Sequence, residues 1–111
     1  MDDFIAYLSE RIEAGKAEIA ALNADGRKDD ANFAKVRTNI YEVCKTVTGA
    51  LVNRPGFGAK AVAARFAGFR ATWGADLEKA QAHDNARGIA VAEAQLTALD
   101  DVIAHFPEAA E

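Results

Sequence analysis

Five large side chains recur at helical spacing inside the stretch Phe57 to Ala80: Val62, Phe66, Phe69, Trp73 and Leu77. Steps of four, three, four and four put them on one stripe of a helix. Aromatic side chains bury large areas, so this stripe predicts other helices packed against it. The rest of the stretch is mostly alanine, glycine and arginine, which predicts close neighbours on its flanks. Alanine also supplies much of the hydrophobic half of the composition. A core built from alanine and a few large residues favours closely packed helices over a thick sandwich.

Three further stripes alternate in threes and fours. The first is Ile5, Leu8, Ile12, Gly15, Ile19 and Leu22. The second is Phe33, Val36, Ile40, Val43, Val47 and Leu51. The last is Ile89, Ala92, Leu96, Leu99, Ile103 and Phe106. The breaks between them are chemically distinct. Gly26 can take the left-handed conformation that ends a helix, and Asp29 or Asp30 is a candidate cap for the next one. Pro55 disfavours helix at Arg54, and two glycines flank Phe57, which is expected to fold back as a plug on the core. In His83-Asp84-Asn85, Asp84 is the expected cap of the last helix. Pro107 ends that helix, and Glu108 to Glu111 are expected to fray. The expected helices are therefore 3–23, 29–52, 58–82 and 84–106. Short links between four similar stripes predict an all-α, up-down-up-down four-helix bundle. A length of 111 residues suits one domain, 1–111. The expected core is Phe66, Phe69, Trp73 and Leu77 of the third helix with Ile89, Leu96, Leu99 and Ile103 of the fourth.

Charge is unevenly placed. The net charge is −4, which disfavours broad nucleic-acid coating. Yet no acidic residue falls between Glu42 and Asp76, where Lys45, Arg54, Lys60, Arg65 and Arg70 stand. Two readings follow. In an up-down bundle Lys60 would lie near Asp100 and Asp101, and Arg65 near Glu93, as surface pairs. Alternatively Arg54, Lys60, Arg65 and Arg70 form a basic face for an anionic partner. No apolar run approaches the roughly 18 residues of a membrane span, and the acidic start Met1-Asp2-Asp3 does not read as a signal region. A cytoplasmic location and no membrane partner are expected.

Motifs for catalysis and metal binding are weak. Cys44 is the chain's only cysteine, so neither an internal disulfide nor a cysteine-rich metal site can form. It reads as a small buried residue rather than a nucleophile. An EF-hand loop aligned on Gly26 would need ligands where Ala21 and Asn32 stand. A di-iron bundle would need two Glu-x-x-His pairs, and neither His83 nor His105 follows a glutamate by three. Asp101 and His105 are one helical turn apart, but the favoured role of His105 is interaction with the carbonyl end of its helix. Gly56-Phe57-Gly58 lacks the lysine of a nucleotide loop. No enzymatic activity, no metal and no cofactor are expected.

Two resemblances bear on the fold. His83-Asp84-Asn85-Ala86-Arg87-Gly88 is similar to the active helix of histidine phosphotransfer domains, four-helix bundles in which Lys-Gly follows the histidine at three and four positions. Here Arg87-Gly88 comes at four and five, and the histidine sits at a helix junction. Trp73 to His83, Trp-Gly-Ala-Asp-Leu-Glu-Lys-Ala-Gln-Ala-His, resembles the third-helix end of small uncharacterised helical proteins of bacteria. That likeness covers about the C-terminal half and implies a bundle, with no activity attached.

The leading functional expectation is a non-enzymatic protein-interaction or self-associating bundle, partnered by a second copy or another protein. Its motif is a second strip of small residues, Ala63, Ala67, Ala71 and Ala75 with Val91, Ala94, Ala98 and Val102. Ala94, Ala98 and Val102 are the candidate self-association residues. The alternative for that strip is contact within one bundle. The rival functions are an anion- or nucleic-acid-binding module on the basic face, and a small-molecule sensor whose pocket is lined by Tyr41, Phe66, Phe69 and Trp73.

Overall fold

A computed structural model describes residues 1–56 and 58–107. Four α-helices run in chain order: α1 (Asp2–Ala24), α2 (Lys28–Val52), α3 (Ala59–Ala82) and α4 (Ala86–His105), with no strand among the described residues. The roles expected for Phe57 and for Glu108 to Glu111 lie outside the described residues. Each helix end has a local cause. Gly26 takes φ 75°, and Arg27 N–H closes the end of α1 by donating to the Leu22 carbonyl at 2.9 Å. Asp29 and Asp30 lie inside the first turn of α2 and do not cap it. Their charge complements the helix N-terminus there, and Asp30 pairs with Arg27 at 2.6 Å. Asn85, not Asp84, caps α4: its side chain accepts from Gly88 N–H at 3.0 Å. Asp84 instead occupies the left-handed conformation, φ 51°, that the tight turn requires.

Packing is most extensive between α1 and α2, then between α3 and α4 and between α2 and α4. Contact of α2 with α3 is the least extensive of the four main pairings. The body measures 45 × 35 × 19 Å, so it is about two helices thick. Its radius of gyration is 15.1 Å, against about 13 Å for a compact chain of about 100 residues.

The buried faces are rotated from those expected. On α2 the buried line is Ala31, Ala34, Thr38, Tyr41, Cys44 and Thr48, with Ile40 the one member of the expected stripe that is fully buried. Phe33, Val36, Val43, Val47 and Leu51 are half-buried at its edges. The reason is close approach. A Cβ on Gly15 would lie 3.0 Å from Thr38 Cβ, so α1 and α2 meet where side chains are smallest. Thr38 and Thr48 satisfy their buried hydroxyls by donating to the carbonyls of Ala34 and Cys44 at 2.8 and 2.7 Å. On α1, Phe4 rather than Ile5 leads the buried face.

The same rotation affects α4, which buries Ala92, Ala98, Leu99 and Val102. Of the expected core, Phe66 and Leu99 are fully buried, while Phe69, Trp73 and Ile103 are half-buried against the core cluster. Leu77, Ile89 and Leu96 are half-buried and stand outside that cluster. Ala98 and Val102 are 1% and 0% exposed, enclosed by this chain itself. They offer no surface for self-association, and Ala94 is half-buried beside a cleft between α1, α2 and α4. One end of the body is closed by an aromatic group: Phe106 meets Phe4 and Phe66 edge-on, with centroids 5.2 and 5.6 Å apart.

Candidate functional site

Three features of the structure hold chemistry beyond packing, and two of them belong to α3.

The first is a polar knot joining α1, α2 and α4. Tyr7 and Tyr41 both donate their phenol hydroxyls to Asp101 Oδ2, at 2.7 and 2.6 Å. His105 stacks on the Tyr7 ring at 4.0 Å and places Nδ1 2.8 Å from the Asp101 carbonyl oxygen. That nitrogen is therefore the donor, as expected for a histidine at a helix C-terminus. Arg11 lies over the Tyr41 ring at 5.8 Å. Burial would raise the Asp101 carboxyl, but the two phenol hydrogen bonds, joined by the nearby His105 and Arg11, together outweigh it and hold the group below the usual carboxylate range. Burial and the hydrogen bond to Asp101 push Tyr7 up to about 12 and raise Tyr41 as well. A carboxylate so stabilised is a poor base, and phenols so raised are poor acids. The knot fastens α1, α2 and α4 to one another. Sequence spacing shows only its Asp101–His105 edge; the tyrosines come from helices remote in the chain.

The second feature is the aromatic stripe of α3. Only Val62, Phe66 and Ala80 of this helix are fully buried. Phe69 and Trp73 stack on each other at 5.2 Å, and Arg65 covers Phe69 from 5.5 Å. Phe69, Trp73 and Leu77 are only partly buried, as are Val36 and Val43 on α2.

The third is a groove of about 540 Å³ on the α4 side of α3. Phe66, Ile103 and Phe106 line it together with Ala59, Ala63 and Ala67, and Lys60 and Arg70 stand at its rim. This disposition revises the expected surface pairs. Arg70, not Lys60, pairs with Asp100, at 3.4 Å between half-exposed side chains. The turn at residues 83–85 brings abreast positions at nearly equal distances from Asp84, which carries Asp100 to Arg70. Lys60 falls near Phe106 instead. Of the four cations expected on one basic face, Lys60 and Arg70 share this groove. Arg65 engages Phe69, and Arg54 is exposed in the α2–α3 connection.

Other candidates separate. His83 is exposed just beyond the end of α3, outside any helix. Cys44 is fully buried, which pushes its thiol up to about 12 and removes its nucleophilic character. Among the described residues no three His, Cys, Asp or Glu side chains gather to hold a metal ion, and no helix is long and apolar enough to cross a membrane. Tyr41 is buried and bonded to Asp101, whereas Phe69 and Trp73 stack on each other. The chain matches no known family model, no curated protein and no solved structure.

Proposed function

We propose that this protein is a non-enzymatic interaction bundle whose recognition helix is α3, and that its first partner is a second copy of itself. The observation that carries this reading is the incomplete burial of Phe69, Trp73 and Leu77. They are the large apolar side chains that remain partly exposed on a helix that buries only three residues fully. Aromatics in a row that their own core covers only in part are the composition of an interface core. Charge favours self-pairing. The acid-free stretch that runs from α2 into the first four turns of α3 carries Lys45, Arg65 and Arg70, and α1 offers exposed Glu10, Glu13 and Glu18 on the other copy.

An up-down-up-down order of the helices fits this reading. Phe66 meets Phe106, Arg70 meets Asp100 and Ala80 lies near Gly88, so contacts run in opposite order along α3 and α4. The net charge of −4 supports a protein partner over nucleic acid. The likeness of Trp73–His83 to small bacterial helical proteins is in keeping with a cytoplasmic bundle.

Trp73 is the chain's one tryptophan, so its emission reports directly on the face proposed. Raising the protein concentration should shift that emission to the blue as sedimentation moves from monomer to dimer. Phe69→Glu should abolish both changes while the helical circular dichroism persists. A monomer at all concentrations that also retains no other protein in native mass spectrometry would refute the reading.

A further inference from the structure

The groove between α3 and α4 differs from the other clefts described here in having no carboxylate in its lining. The cleft at the α3–α4 turn sets Asp76 beside Lys79 and Arg87, that between α1 and α2 sets Glu13 and Glu42 beside Lys16 and Lys45, and that between α1, α2 and α4 sets Glu18, Asp30 and Glu93 beside Arg27 and Arg37. The shallow cleft on α2 includes Glu42. The α3–α4 groove is lined by six apolar residues and two cations, with no carboxylate. We propose that it binds a free organic carboxylate that carries an unbranched apolar chain.

The chemistry follows from the lining. Ile103 and Phe106 give an apolar surface that would otherwise stay wet over the buried Phe66 ring, and the Ala63 and Ala67 methyl groups leave room for a slender chain beside α3. Lys60 and Arg70 lie ten positions apart on one helix, a span of about 15 Å. Either can take the carboxylate while the chain runs along the groove toward the other. Arg70 is available for this. Its pairing with Asp100 is 3.4 Å long and half-exposed on both sides, the class of ion pair that contributes least and exchanges most readily. A cation–carboxylate bond at the edge of an apolar surface is stronger than the same bond in open water. The site therefore distinguishes an anion from an alcohol or an amine of equal chain length.

Decanoate, kept below the concentration at which it self-assembles, is the probe. Titrated into the intact chain and followed by calorimetry and by amide chemical shifts, it should saturate one site, with shifts centred on Ala63, Ala67 and Ile103. Lys60→Gln with Arg70→Gln should weaken binding about five- to ten-fold, and Ala63→Trp, which fills the groove, should abolish it. Lys60, Ala63 and Arg70 are exposed, so both variants should keep the native circular dichroism. Decanol and decylammonium should bind at least tenfold more weakly than decanoate. The proposal is overturned if decylammonium binds as well as decanoate, if the double variant binds unchanged, or if no saturable binding occurs. It is also overturned if binding occurs only to anionic vesicles, since the groove would then serve a membrane surface.

Discussion

Replacing Gly15 by alanine would set a methyl group against the Thr38 side chain, 3.0 Å from both Cβ and Cγ2 and closer still to Oγ1. Alanine is about 1 kcal/mol better than glycine inside a helix, so without a neighbour the change would stabilise. Thr38 is a poor neighbour to displace. It is buried, and its hydroxyl is committed to the Ala34 carbonyl at 2.8 Å. Relief must come from moving α1 away from α2, along the most extensive packing in the molecule. Overpacking of this kind costs roughly 1–3 kcal/mol, and more where the backbone must shift. Because Thr38 can yield only by moving backbone, the cost falls in the upper part of that range, and after the propensity gain the net loss should be about 1–2 kcal/mol. At this chain length that lowers the melting temperature by roughly 4–8 °C. Gly68→Ala is the control, since nothing lies within 4 Å of its added Cβ; it should stabilise by about 0.5–1 kcal/mol. Thr38→Ala removes Oγ1 and Cγ2 but leaves Cβ in place, so combined with Gly15→Ala it should recover part of the loss. Urea unfolding of the two single variants and their double gives a coupling energy of about 1 kcal/mol or more in favour of the pair. If Gly15→Ala stabilises as much as Gly68→Ala, the close approach of α1 and α2 is wrong.

The polar knot makes two pH predictions of opposite sign. Asp101 is held below its ordinary value of 3.8, so its contribution is present above that pH and is lost as pH falls through the lowered value. Asp101→Asn should flatten the stability profile at the acid end, and an unchanged profile would show that the two phenol bonds do not favour the ionised form. Tyr7 is raised from 10.0 to about 12, so its contribution is intact below pH 10 and is lost as pH rises toward 12. Phenolate absorbance of the native protein should therefore appear well above that of the unfolded chain; coincident curves would count against the knot. Ala98→Glu places a charge where the native residue is 1% exposed. It should unfold the chain rather than release folded monomers, as circular dichroism alongside sedimentation will tell.

Helix ends were legible because their chemistry is local. Gly26, Pro55 and the His83–Asn85 turn set boundaries within about two residues of those expected, and only the capping roles moved, from Asp29 or Asp30 and from Asp84. The faces were less legible. Large aliphatic residues mark a stripe in the sequence, but helices approach through small ones, so Thr38, Cys44 and Ala98 took positions expected for Val43, Val47 and Leu96. The basic stretch was visible as composition, whereas the division of its cations between a groove, an aromatic ring and Asp100 depends on the register of α4 on α3. The Tyr7–Asp101 bond joins residues 94 positions apart, and no periodicity encodes such a contact.

That one carboxylate grips a tyrosine from α1 and another from α2 divides the molecule kinetically. Three helices share a polar fastening, while α3 is secured near its two ends by Val62 and Phe66 and by Ala80. Its central turns stand over half-exposed rings and an open groove. Local opening follows the poverty of buried contacts, so the amides of α3 between Ala67 and Lys79 should exchange with solvent before those of the other three helices. A partner or ligand that covers this helix would slow that exchange without any change of shape. The protein can thus register binding as lost breathing in one helix, while α1, α2 and α4 hold the frame.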